Sequence, residues 1–315
     1  MVYGLSTNMQ ATPNILMIRP VNFGFNEQTA ESNAFQNREG VKDDVQQKAL
    51  QEFNGFVDIL RQNGVRVTVV DDTPSPHTPD SIFPNNWVSF HDNGDIFLYP
   101  MQAENRRMER REDIIRKLEE QFKVGHIIDL SRFEIQNKFL EGTGSMVLDR
   151  ENKIAYACLS PRTDEEVLRV FCDHTGYNPV LFHAVDENGK AIYHTNVLMA
   201  VGSKYAVICL DAIANDEELE QVLDSFSSIG KEVVSITFEQ MNHFAGNMLE
   251  VQNNNGKSLL VMSKSAWESL TDEQKEVLSS YSKPVYADIN TIETIGGGSA
   301  RCMMAEVHLP FIGEV

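Results

Sequence analysis

The chain has 315 residues, 42% hydrophobic and 23% charged, an ordinary globular composition with ample apolar material for a core. Its 27 Lys and Arg against 46 Asp and Glu give a net charge of −19, a field that repels phosphate backbones and anionic lipid, so no nucleic acid and no membrane surface is expected as a partner. The four cysteines, at 158, 172, 209 and 302, have no metal-like spacing, residues 1–13 lack the apolar core of a secretory signal, and no apolar run approaches the ~20 residues of a membrane span, so the expectation is a cytoplasmic protein with neither metal nor membrane anchor.

In chain order, apolar spacing of three and four residues first predicts a helix over 45–61, with Leu50, Phe53, Val57 and Leu60 on one face. A Pro-rich loop follows at 74–79. The polar pair Asn85 and Asn86 then opens a hairpin, with strands at 87–90 and 96–99 around a turn at 92–95. A helix is predicted over 106–122. The second hairpin opens at 141–144 and places strands at 145–148 and 154–159. A helix over 164–174 leads to the third, which opens at His194 and Asn196 with strands at 197–201 and 206–210. A helix over 216–226 leads to the fourth, opened by 245–247, with strands at 248–251 and 259–262. The last helix, 267–281, is followed by Gly296, Gly297, Gly298, Ser299 and Cys302, then an apolar run at 303–309.

The openings repeat. Asn86, Gly144, Asn196, Asn247 and Cys302 mark steps of 58, 52, 51 and 55 residues, a period that signals a repeat architecture. Hairpins alternating with single helices predict one α/β domain over 1–315, built of pseudo-symmetric units whose polar openings converge on an axis with the helices outside. Collected there, Asp80, Asn85, Asn86, Glu141, His194, Asn247 and Cys302 supply a thiol, an imidazole and carboxylates. That is the minimum set for a thiolate nucleophile with a proton shuttle and an orienting acid. Cys158 and Cys209 sit in apolar strand runs and Cys172 in a helical pattern, where packing explains them. Cys302 alone follows a flexible glycine run and has a cation, Arg301, beside it, which would stabilise a thiolate if it points inward.

The run 79–86, the 140–144 segment Leu-Glu-Gly-Thr-Gly, His194 ahead of a strand and the Cys after a Gly-rich stretch together resemble the guanidino-group-modifying superfamily. The likeness extends from 15–20 to Cys302. It implies the pentein fold, a five-bladed αβ-propeller with pseudo-fivefold repeats. The superfamily holds arginine deiminases, dimethylarginine dimethylaminohydrolases, agmatine deiminases and amidinotransferases, and this chain resembles its bacterial amidinotransferase-like, citrulline-utilisation hydrolase branch, related to the dimethylarginine hydrolases. The resemblance implies Cys302 as nucleophile, His194 as general acid and base, and Glu141 as the group orienting His194. It further implies Asp80 at the substrate α-ammonium and Arg106 and Arg162 at the α-carboxylate, with no cofactor.

One departure is informative. Where the relatives close the first motif with an acidic pair, this chain has Asn85 and Asn86. A buried carboxylate there matches a guanidinium, whereas an amide carries both a donor and an acceptor and matches a neutral ureido group. The expected activity is therefore hydrolysis of a small-molecule amino acid, citrulline, to ornithine, ammonia and carbon dioxide. The alternatives are a guanidinium substrate, in a deiminase, dimethylarginine hydrolase or amidinotransferase, and a non-catalytic propeller that only binds. Whether the chain forms a homo-oligomer is left open by the sequence.

Overall fold

A computed structural model describes residues 9–38 and 44–313; part of the 1–13 run read above as lacking a signal lies outside them. Strands β1 (Asn14–Arg19) and β2 (Arg66–Asp71) pair in parallel, joined through the helix Val45–Gln62. The next four units share one plan: an antiparallel hairpin, a helix, and a third strand returning parallel to the hairpin's second strand. They are β3 (Val88–Phe90), β4 (Ile96–Leu98) and β5 (Ile127–Asp129); β6 (Val147–Asp149), β7 (Ile154–Cys158) and β8 (Asn178–Phe182). Then come β9 (Met199–Val201), β10 (Tyr205–Ile208) and β11 (Glu232–Ser235), and finally β12 (Leu249–Gln252), β13 (Ser258–Ser263) and β14 (Lys283–Ala287). The short last strand β15 (Ala305–Glu306) lies antiparallel against β1, with Leu16 opposite Ala305, so one sheet is built from both ends of the chain and closes the ring. These five three-stranded sheets are the blades of the pentein propeller.

The third strand of each sheet, and β1 in the sheet that joins residues 14–19 to β15, are additions to the sequence reading. A parallel pair needs a crossover rather than a tight turn, and the intervening helix supplies it. The helices pack on apolar faces close to those their spacing predicts, though Leu50, expected on the first, is only half-buried. Val45–Gln62 buries Ala49, Phe53, Phe56, Val57 and Leu60, each large side chain contributing about 1.5–3 kcal/mol. Two expected helices are divided. The one over 106–122 is Glu104–Arg107 followed by Glu112–Glu119, and Arg110 in the gap bonds the Tyr99 carbonyl and Glu134. The one over 267–281 is Lys264–Ser269 followed by Asp272–Tyr281. Thr271 restarts it with a capping box to Gln274.

Short helical turns precede three of the hairpins: Pro84–Asn86, Gly142–Ser145 and Thr195–Leu198. The middle turn packs on the other two, which brings the polar openings of three blades together at the axis. Only glycine serves there. At Gly142 (φ +50) a Cβ would lie 2.3 Å from the Asn85 carbonyl oxygen, and at Gly144 it would lie 2.3 Å from Asn86 Nδ2.

Candidate active site

The turns and the Gly296–Cys302 loop enclose a cavity of about 20 Å³, room for roughly one water. Asp80, Asn86, Arg106, Arg162, His194 and Cys302 all line it, so residues spread over more than 200 positions meet there. Thr29, Asn33, Phe83, Tyr193 and Gly296 to Gly298 complete the wall. Glu141 stands directly behind. Asn85 is fully buried but is not in the lining, and its side-chain amide has no hydrogen-bond partner.

Glu141 Oε2 accepts the His194 Nε2 proton at 2.8 Å and has Arg162 Nη1 at 3.6 Å. Burial pushes the Glu141 carboxyl up, but Arg162 and the His194 hydrogen bond outweigh it and hold the group ionised, down to about 2. Burial lowers the His194 imidazole to about 4, against the opposing pull of Glu141. At neutral pH the imidazole is therefore neutral. Its Nε2 carries the proton given to Glu141, and Nδ1 is the lone pair left for chemistry. That nitrogen sits over Gly144, where a Cβ would come within 2.8 Å of it.

Cys302 Sγ receives two amide N–H groups, Asn196 Nδ2 at 3.4 Å and Asn247 Nδ2 at 3.3 Å. Asn247 is fixed on both sides: its Nδ2 also donates to the Asn196 carbonyl, and its Oδ1 accepts the Arg301 backbone N–H at 3.0 Å. The cradle thus locks the nucleophile loop while aiming two dipoles at the sulfur. Arg301, which would steady a thiolate if it pointed inward, does not face the thiol. Its guanidinium turns to the other side of the loop and donates to Glu306 at 2.6 Å and to the Met304 carbonyl. The thiol is served by amides instead of a cation.

Asp80 Oδ2 accepts from Asn26 Nδ2 at 2.7 Å, while its Oδ1 is buried without a partner. Arg106 is held by Glu109 through two 2.9 Å bonds, with Asp80 at 3.8 Å; its remaining donors reach the Phe83 and Asp80 carbonyls and Asn86 Oδ1. Little of it is free for a carboxylate. Its visible effect is to fix the Asn86 amide, whose oxygen faces Arg106 at 2.9 Å and whose Nδ2 is left buried and bare. Arg162 stacks on the Tyr193 ring and donates to the Thr29 carbonyl and Ser32 Oγ, tying the 29–33 segment over the cavity.

The sequence reading did not single out Tyr193 or Glu109, and Asn196 entered it only as a repeat marker. Asn196 was within reach, since it stands 51 positions before Asn247 and does the same work on Sγ.

Comparison with known proteins bears on the fold and the family. The apo arginine dihydrolase ArgZ, from the ornithine-ammonia cycle of cyanobacteria, superposes with a TM-score of 0.74 at 16% identity, over 95% of this chain and 41% of that one. The chain therefore spans under half the length of the intact ArgZ. The N-terminal domain of ArgZ bound to substrate matches at 17% identity with a TM-score of 0.73, covering 95% of this chain and 99% of the domain. A dimethylarginine dimethylaminohydrolase adduct with S-methyl-L-thiocitrulline matches at 16% identity and 0.62, over 93% and 98%. No curated protein sequence matches. The five-sheet fold and the family match together define a member of the pentein fold. More particularly, the chain belongs to the family described as N,N dimethylarginine dimethylhydrolase, eukaryotic, whose model matches residues 19–309.

Proposed function

We propose that the chain, as one catalytic unit, hydrolyses the ureido group of citrulline, giving ornithine, ammonia and carbon dioxide. The observation that carries this reading is the pair of bare polar atoms around the nucleophile: a donor, Asn86 Nδ2, and an acceptor, Asn196 Oδ1. A ureido group offers one carbonyl oxygen and amide N–H groups, and so satisfies both. A guanidinium carries donors only and would leave the Asn86 N–H facing another N–H. The bare Asp80 Oδ1 suits the substrate α-ammonium, and the Arg162 donors now held by Thr29 and Ser32 suit its carboxylate once that segment yields. A cavity of about 20 Å³ must widen to admit an amino acid.

Chemically, His194 Nδ1 takes the Cys302 thiol proton and the thiolate attacks the ureido carbon. The imidazolium, its positive charge steadied by Glu141, returns the proton to the departing nitrogen. A water deprotonated by the same Nδ1 then cleaves the C–S bond, and the carbamic acid released breaks its remaining C–N bond to give carbon dioxide and the second amine.

A second reading, arginine as substrate, is favoured by the unpaired Asp80 carboxylate oxygen and by the name of the structural neighbours, arginine dihydrolases. The test is release of ammonia or methylamine from citrulline, arginine, methylarginines and agmatine, with ornithine assayed as the product from citrulline and citrulline as the product from arginine, and the highest kcat/KM expected for citrulline. A wild-type preference for arginine refutes the ureido reading.

A further inference from the structure

Behind the nucleophile loop lies a buried carboxylate that the mechanism above does not use. Glu293, 4% exposed on the helix Asn290–Gly296, accepts a 2.5 Å hydrogen bond from Ser299 Oγ. The Ser299 carbonyl in turn accepts the backbone N–H groups of Cys302 at 3.0 Å and Met303 at 3.3 Å. Between the helix and this turn, Gly297 reverses the chain in the left-handed region (φ +63), so Ser299 is the point at which the loop is tied back to the helix. Glu293 also lines two outer cavities, of about 580 and 920 Å³, distinct from the catalytic one.

We propose that Glu293 is a positioning residue for the nucleophile: ionised, it anchors the loop through Ser299 and keeps Cys302 in its amide cradle, and protonated, it releases that anchor. This role rests on Cys302 being the nucleophile. A hydroxyl donates more strongly to a carboxylate than to a neutral carboxyl. Burial pushes the Glu293 carboxyl up to about 7, with Glu52 and Asp288 adding to the rise and the Ser263 and Ser299 hydroxyls opposing it. Those two carboxylates are otherwise engaged, Glu52 by the Thr291 and Ile292 backbone N–H groups and Asp288 by Lys264 at 3.7 Å. The anchor therefore changes strength across neutral pH.

The test is the rate of iodoacetamide alkylation of Cys302, read by peptide mass from pH 5.5 to 9, in wild type, Glu293→Gln and Ser299→Ala. Wild type and Glu293→Gln should react alike near pH 6. Wild type should pull ahead about fivefold above pH 8, the size expected for one modest hydrogen bond. Ser299→Ala should follow Glu293→Gln at every pH. A ratio that is flat with pH, or that moves the other way, overturns the proposal, since a carboxylate that merely supports the fold would lower Tm without moving this ratio. Should Glu293→Gln fail to fold, Ser299→Ala against wild type decides by the same criterion. The assay uses no substrate, so a protein inert toward citrulline and arginine would sink the functional reading and leave this result standing.

Discussion

Replacing Asn86 by Asp tests how the site reads the reacting group. The Asn86 oxygen already accepts from Arg106 Nη1 at 2.9 Å, and an aspartate would keep that bond and strengthen it. What changes is the other atom. The bare Nδ2 becomes a second acceptor oxygen, in the same place over Gly144. For citrulline, one donor to the ureido oxygen is lost and an acceptor faces it, a change of about 1–3 kcal/mol, or roughly 5- to 150-fold in kcat/KM. For arginine the same atom gains an N–H partner and an opposite charge. The citrulline-to-arginine ratio of kcat/KM should therefore fall by about 10²–10⁴, within the range seen when one buried polar match sets specificity. The assay is a paired comparison of both substrates on wild type and Asn86→Asp, with Asn85→Asp as a control expected to leave the ratio alone. A ratio unmoved by Asn86→Asp, or moved toward citrulline, refutes the reasoning.

Gly144→Ala should lower kcat by at least ~10²-fold with the fold kept by circular dichroism, because its Cβ would sit 2.3 Å from Asn86 Nδ2 and 2.8 Å from His194 Nδ1 and must displace both. The acid limb of kcat/KM should fall near pH 4 as His194 protonates, and Glu141→Gln, which removes a charge that raises the imidazole, should move that limb lower still while slowing turnover. The same depressed value makes neutral, buried His194 a source of stability present above pH 6.5 and lost as pH falls toward 4, so the denaturant midpoint of His194→Gln should lose less over that window than wild type does. Lys231→Met should cost about 3–5 kcal/mol in chemical denaturation, since it leaves the buried Asp149, now 3.0 Å from Lys231 Nζ, without its counter-ion.

The repeat was legible because each blade opens with small or polar residues that cannot sit in an apolar strand, and steps of 51–58 residues bring those openings to one axis. Spacing alone was enough to gather Asp80, Asn86, His194 and Cys302 at one cavity, with Glu141 behind it. It could not give orientation. Arg301 and Cys302 are adjacent on a turn, and adjacent side chains there leave in different directions; Glu306, on β15, captures the arginine. Arg106 is placed at the substrate carboxylate by the resemblance alone, and its partner Glu109, three residues on, carries no sequence signal that would mark the pair as buried. The third strand of each blade escaped for a related reason. Strands such as Ile127–Asp129 and Glu232–Ser235 are short and partly exposed, so their apolar pattern is weak and only their parallel partner defines them.

The central claim is that Cys302 forms a covalent bond to the ureido carbon of citrulline. Rapid acid quench of wild type with excess citrulline, followed by peptide mass analysis, measures this directly. The account predicts a transient thiocarbamate on the peptide holding Cys302, formed no slower than ornithine appears and absent in Cys302→Ser, which should release no ornithine. Ornithine release by Cys302→Ser at a rate near that of wild type, or an adduct on Cys158, Cys172 or Cys209 instead, would contradict it.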